Sequence, residues 1–352
     1  MDTMVDRKAP GDRMATRVLP TNDRDLEALL RARDALEGRL LVAPGTRAAS
    51  AGADGTAGLA NIFGIGIGLQ DVGGHPTGRI AIKILVRAKL PRSRIAAEAL
   101  VPRRFDGFLT DVEAVNDVAV PRVAARRRTG RRGVSISSAH LGMSGTPACL
   151  VRRGRALHIL GNNHILALVN QGPIGADIVQ PGRLDGGIVP RDVVAHLDRF
   201  VPIDFEATNE VDAAIARTTP ARLARRGLGA WSRRRPAAPA AEAALGMLVE
   251  KSGRTTRRRR GRIDAVHVTL DVNYAPLGRV ARFAHQFRVR GLGAPFGEVG
   301  DSGALVVTRP GNRPVGLLFS GSAAGNMAFC NEIERVTRAL GVSIVTLGRG
   351  RT

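Results

Sequence analysis

Three short segments of the 352-residue chain carry side chains that could act together on a carbonyl carbon. In ALHILGNNHILA an apolar run delivers His164 into a turn rich in Gly and Asn. In EVDAAIA, Asp212 stands directly before a run of small apolar residues. In GDSGALVV, glycines flank Asp301 and Ser302. A serine hydroxyl is a weak nucleophile and needs an adjacent base. A histidine in that role needs a carboxylate to fix its tautomer and stabilise the imidazolium. The oxygen that turns negative during attack needs fixed N–H donors, and a glycine-bearing turn supplies them. Ser302 is thus the candidate nucleophile, His164 the base and Asp212 the orienting acid, with the amides of Gly300 and Ser302 as candidate oxyanion donors.

Taken singly, each signal is weak. GDSG can recur by chance in a chain with 42 glycines, a lone histidine is more often structural, and Asp212 is one of 31 acidic residues. The weight lies in finding all three in one order, each in an extended local context. Among rival carboxylates, Asp177 and Asp185 lie in Gly/Pro-containing loops, and no small apolar strand follows Asp204. Asp301, next to the nucleophile, is better placed to brace the turn. His75, His140, His158, His196, His267 and His285 show no metal-ligand spacing, so neither a metal nor a cofactor is expected. Gly64, Gly66 and Gly68 do not form the GxGxxG of a dinucleotide fold.

Residues 1–20 lack periodicity and are expected to be disordered. A helix is expected from Asn22, where Asn22 and Asp25 have capping-box spacing and Leu26, Leu29, Leu30, Leu36 and Leu40 share a face. Alternating runs at 62–69 and 80–88, and a shorter one ending in Thr110-Asp111-Val112, predict strands. Residues 21–118 therefore read as a small α/β module and 119–133 as a basic linker. Short apolar runs broken by Gly, Pro and Asn follow, the pattern of β-barrels. They divide into 134–216, carrying His164 and Asp212, and 244–352, carrying Ser302. A Pro/Ala/Arg-rich linker at 217–243 separates them. A terminal helix is expected where Asn331 and Glu334 have capping-box spacing and Gly341 is a natural stop.

GDSG with a downstream apolar strand resembles the nucleophile loop of trypsin-like serine proteases, and His, Asp, Ser is their chain order. The set GNNHILA, FVPIDFEATNEVDAAIA, VEKSGRTT, GDSGALVV and VGLLFSGS, over roughly residues 131–348, is similar to the narrow-leaf-type trypsin-like proteases of plants and bacteria. FGIGIG, RIAIKILV and LTDVEAV resemble the module that often precedes the protease in bacterial members. The resemblance implies a mainly β fold, a chymotrypsin-like double β-barrel with the triad between barrels. It also implies peptide-bond hydrolysis and a substrate strand added along Ser320-Gly321-Ser322. One departure is local: where the family continues with Gly after Thr256, this chain has Arg257 to Arg260.

The formal net charge of +22 raises nucleic acid as a partner. Only four of the 53 basic residues are lysines (Lys8, Lys83, Lys89, Lys251), and the arginines are dispersed apart from Arg126–Arg128, Arg233–Arg235 and Arg257–Arg260, runs that read as solvated loops. A GC-rich coding bias accounts for that better than one basic face, so nucleic acid is the lesser alternative. The other alternative is a protease-fold binding scaffold, as a homo-oligomer in one version. No apolar stretch is long enough to span a bilayer, and two cysteines are too few for a disulfide framework. The expectation is a cytoplasmic enzyme acting on protein or peptide.

Overall fold

A computed structural model describes residues 23–44, 59–73, 75–115, 118–120, 134–140, 143–225, 235–275, 277–322 and 326–346. The expected disordered stretch 1–20, residues 121–133 of the first linker with its arginines at 126–128, and residues 226–234 of the second lie outside these residues. Helix α1 (Asp23–Leu40) buries Leu29, Ala32, Leu36 and Leu40 along one stripe, as the spacing predicts. The N-terminal strands are β1 (Ile62–Val72), β2 (His75–Val86), β3 (Arg104–Phe105), β4 (Phe108–Ala114) and β5 (Val118–Val120). The middle region contributes β6 (Ser137–Ser138), β7 (Leu150–Arg153), β8 (Ala156–Gly161), β9 (Asp177–Val179), β10 (Val193–Phe200), β11 (Thr208–Asn209) and β12 (Ala214–Thr218). The last part supplies β13 (Leu248–Gly253), β14 (Arg257–Tyr274), β15 (Arg279–Gly291), β16 (Leu305–Thr308), β17 (Pro314–Ser322), β18 (Met327–Glu332) and β19 (Ser343–Ile344).

The chain is mainly β, as expected. One sheet of seven strands runs β19-β7-β8-β12-β10-β9-β6. In the other, β15, β18, β17, β16, β13 and β14 pair in turn, and β14 pairs back onto β15. That last pairing closes six strands into a barrel, and the long strands β14 and β17 run past the closure and offer further edges to β1 and β5. The two sheets meet at the site described below.

Strand β1 pairs with β14 (Gly64↔Leu270, Gly68↔Ala265), so the N-terminal segment continues the barrel's sheet rather than forming a sheet of its own. Its glycines have a packing reason. A Cβ on Gly68 would stand 2.6 Å from the Asp264 carbonyl oxygen, so only glycine lets β1 lie this close to β14. Isoleucines between the glycines (Ile65, Ile67) pack into the same cluster as Leu29, Leu36 and Leu40 of α1.

Three expectations need correction. The basic linker does not begin at 119, because Ala119 and Val120 belong to β5. The linker from 217 contains the end of β12 and a short helix, Pro220–Arg225. Arg257 to Arg260 are not a loop but the start of β14, paired with Gly253 to Glu250 across a tight hairpin. Hairpin register dictates that ladder whatever the side-chain polarity, and Arg258 is held by Glu250 at 2.9 Å.

The fold leads to a first prediction. Gly68→Ala pushes β1 off β14 and lowers stability by about 1–3 kcal/mol, the usual cost of overpacking. Gly38→Ala, at a helical position with open space around it, stabilises by about 0.5–1 kcal/mol. Denaturant unfolding of both variants measures the contrast, and equal midpoints would contradict the tight β1–β14 approach.

Candidate active site

The positions of His164 and Asp212 follow from the register of two neighbouring strands. Ala214 of β12 pairs with Gly161 at the end of β8. Asp212 comes two residues before the first, and His164 three residues after the second. Beyond β8 the chain turns into a one-turn helix, Asn163–Leu166, which carries His164. Asn163 fixes the following turn by donating to Asn170 Oδ1 and to the Val201 carbonyl, both at 2.7 Å. Leu168, Val169 and Asn170 all have positive φ there (54°, 55° and 71°), a left-handed path that such side chains rarely take.

The Asp212 carboxylate is fully buried and surrounded by donors. His164 Nδ1 lies 2.5 Å from Oδ2, the His164 amide donates to Oδ1 at 3.2 Å, and the Tyr274 hydroxyl donates to Oδ2 at 2.9 Å. The Asp212 backbone is clamped as well. Asn162 donates to its carbonyl (2.7 Å), and its N–H donates to Asn331 Oδ1 (3.1 Å). Asn331 in turn donates to Gln286 (2.6 Å), which donates to the Glu210 carbonyl (2.8 Å). Burial and the adjacent Asp212 charge hold the Tyr274 phenol well above its ordinary pKa, so it remains a donor.

Local sequence pattern gives no sign that Tyr274 or Gln286 belongs to this site. For Asn331 the signal pointed elsewhere: its spacing to Glu334 suggested a helix cap. Helix α2 (Ile333–Leu340) instead starts after Glu332 without a side-chain cap, and the Asn331 amide serves Asp212. Gly341 does end that helix, at φ +67°.

Ser302 sits half-buried at the mouth of the barrel, between Gly300 and Gly303, whose φ values are +98° and +92°. Its carbonyl accepts from the Thr146 amide at 2.7 Å, and the Gly300 carbonyl accepts from the Thr146 hydroxyl at 3.1 Å. A Cβ on Gly145 would stand 2.7 Å from the Ser302 carbonyl and 2.8 Å from Ile165, the residue after His164. This close approach brings the serine loop to the histidine turn. Ser302 Oγ makes no hydrogen bond to His164 in this state. The amides of Gly300 and Ser302 donate to no protein acceptor among the described residues.

Asp301 braces this turn, as its place in the sequence suggested. Its buried carboxylate meets Lys251 Nζ (2.6 Å), the Thr256 hydroxyl (2.6 Å) and the amides of Thr255 (2.8 Å) and Glu298 (3.1 Å). Lys251, within VEKSGRTT, is wholly buried as well. Burial pulls its ammonium below the ordinary range, and Asp301 works against that pull.

The rival carboxylates are engaged elsewhere. Asp177 pairs with His196 (3.0 Å), Asp185 accepts two bonds from Arg254 (2.6 and 2.7 Å), and Asp204 accepts from the amides of Glu206 and Ala207. Ser320 is buried, while Gly321 and Ser322 pair with Ala119 and Val118 of β5.

No family model and no curated protein sequence matches this chain. Solved structures similar to it include Thermobifida fusca protease A (19% identity, TM-score 0.41), covering 60% of this chain and 96% of that one. A glutamic acid-specific serine protease (20%, TM-score 0.41) covers 60% and 97%. Cellulomonas bogoriensis chymotrypsin (17%, TM-score 0.39) covers 60% and 96%. Likeness at this level assigns no chemistry, which rests on the geometry above.

A second prediction concerns the brace. Lys251→Met leaves the Asp301 carboxylate buried without its cation and costs about 3–5 kcal/mol of stability. Lys251→Met combined with Asp301→Leu removes both charges and recovers part of the loss. Guanidinium unfolding of the two variants reads this directly, and a Lys251→Met midpoint equal to wild type would show the pair is not a brace.

Proposed function

We propose that the protein is a serine endopeptidase acting by acyl transfer, with His164, Asp212 and Ser302 as its triad. The observation that carries this reading is the buried Asp212–His164 contact at 2.5 Å beside the Ser302 loop. In the first step Ser302 Oγ forms a bond to the scissile carbonyl carbon and its proton passes to His164 Nε2. The carbonyl π pair moves to oxygen, which the free amides of Gly300 and Ser302 receive. His164 then gives the proton to the leaving nitrogen as the C–N bond breaks. Water repeats the sequence on the acyl-enzyme. Asp212 stays ionised throughout, orienting the imidazole and stabilising its charged form.

Among trypsin-like proteases, the motif set quoted above favours the narrow-leaf type. The buried, unpaired thiols of Cys149 and Cys330 support work in the reducing cytoplasm. A second reading, a binding scaffold on the same fold, draws on the missing Ser302–His164 hydrogen bond. Catalytic hydrogen bonds are often long before substrate arrives, so that observation fits an unliganded enzyme equally well.

The third prediction is kinetic. Ser302→Ala lowers kcat on the order of 10⁴- to 10⁶-fold, and Asp212→Asn about 10⁴-fold. Asp177→Asn and Asp204→Asn stay near wild type. Peptide hydrolysis by the four variants decides it, and an active Asp212→Asn beside an inactive Asp177→Asn would reassign the acid.

The fourth isolates the phenol. Tyr274→Phe keeps the ring but removes a hydrogen bond to a charged group, worth about 1.5–3 kcal/mol. The unfolding midpoint drops accordingly and kcat/KM falls roughly 10- to 100-fold, and a rate within twofold of wild type would remove Tyr274 from the machinery.

A further inference from the structure

Strand β5 lies along the edge where a substrate strand would have to pair. It consists only of Val118, Ala119 and Val120, between the ends of two long strands. On one side it runs antiparallel to β17, with Gly321 opposite Ala119 and Ser322 opposite Val118. On the other it runs parallel to β14, with Val120 opposite Tyr274, whose hydroxyl holds Asp212. The edge of β17 that receives it leads straight to the nucleophile, because Gly303, next to Ser302, donates to the Leu318 carbonyl at 2.8 Å. Running antiparallel, β5 heads from Ser322 toward that loop. Next along β17 stands Ser320, whose hydroxyl is buried and without a partner, a group expected to find one when the groove is filled differently.

We propose that β5 is a built-in occupant of the peptide-binding groove, one that a substrate must displace. The inference rests on the endopeptidase reading and adds to it a latent state and a substrate preference. Val118 and Val120 are both buried, 3% and 2% exposed, and join the cluster of Phe205, Phe319 and Phe329. Ala119 between them is half-buried. The groove therefore fits an extended segment with small branched aliphatic side chains at alternate positions. Three residues make a short strand, with few ladder bonds to break, so exchange with an incoming peptide is feasible.

The test uses the full chain and two variants, Ala119→Pro, which deletes a ladder N–H, and Val118→Ser/Val120→Ser, which deletes the apolar anchors. Three rates are measured: labelling of Ser302 by a small fluorophosphonate, hydrolysis of a small ester, and hydrolysis of an extended peptide. Releasing β5 raises peptide kcat/KM about tenfold or more and leaves labelling and ester hydrolysis within twofold. Peptides with valine two residues apart on the amino side of the cleaved bond outrun those with glutamate there. Unchanged or slower peptide hydrolysis, with labelling intact, would make β5 a structural strut and overturn the inference. Failure of wild type to label would instead count against the endopeptidase reading itself. If the variants do not fold, hydrogen exchange on wild type with a bound peptide aldehyde decides. The Ala119 amide must lose protection while Gly321 keeps it, and protection retained at Ala119 would overturn the displacement.

Discussion

A carboxylate without solvent contact must find its donors inside the fold, and Asp212 is such a group at the meeting of two sheets. Leaving it under-satisfied would cost several kcal/mol. The donors come from both sides: His164 from the turn after β8, and Tyr274 from the far end of β14. The backbone of Asp212 is likewise held by Asn162 on its own sheet and Asn331 on the barrel. Satisfying one buried charge thus fixes the imidazole and ties the sheets together. The Asp301–Lys251 pair repeats the principle under the serine loop. There the buried charge shapes a turn in which the Gly300 and Ser302 amides meet no protein acceptor among the described residues.

The same logic accounts for much of the arginine-rich composition. Glu113 of β4 receives Lys83, Arg288 and Arg290, and Asp264 of β14 receives Arg288 and Arg290. Burial works to raise the Glu113 carboxyl, but Arg288 and Lys83 outweigh it and hold it well below the usual carboxylate range. This cluster, with Arg288 itself only 1% exposed, fastens the N-terminal strands to the barrel. Arg254 and Arg282 are similarly buried against Asp185 and Asp271. Several arginines are therefore internal ties rather than parts of a basic surface.

The parts legible in the sequence were those set by local pattern. Alternation predicts β1 and β2, the leucine stripe predicts α1, and Gly341 marks the end of α2. The quoted motifs select His164 and Asp212, which the fold brings into contact. What local pattern does not contain is pairing between distant segments. Nothing in 62–69 says that β1 will add to β14, and nothing near Tyr274 or Gln286 connects them to Asp212. The Asn331–Glu334 spacing even suggests a different use, since a side-chain amide can cap a helix or clamp a distant backbone equally well. Val118-Ala119-Val120 is too short to announce a strand, so local pattern places a linker from 119 although the chain there is still paired.

A crystal structure of the protein treated with a peptide aldehyde tests the triad most directly. The expected result is a covalent bond to Ser302 Oγ, with the hemiacetal oxygen against the Gly300 and Ser302 amides or His164, and with Asp212 still bonded to His164 Nδ1. An adduct on another residue, or no adduct with His164 and Asp212 in place, would contradict it.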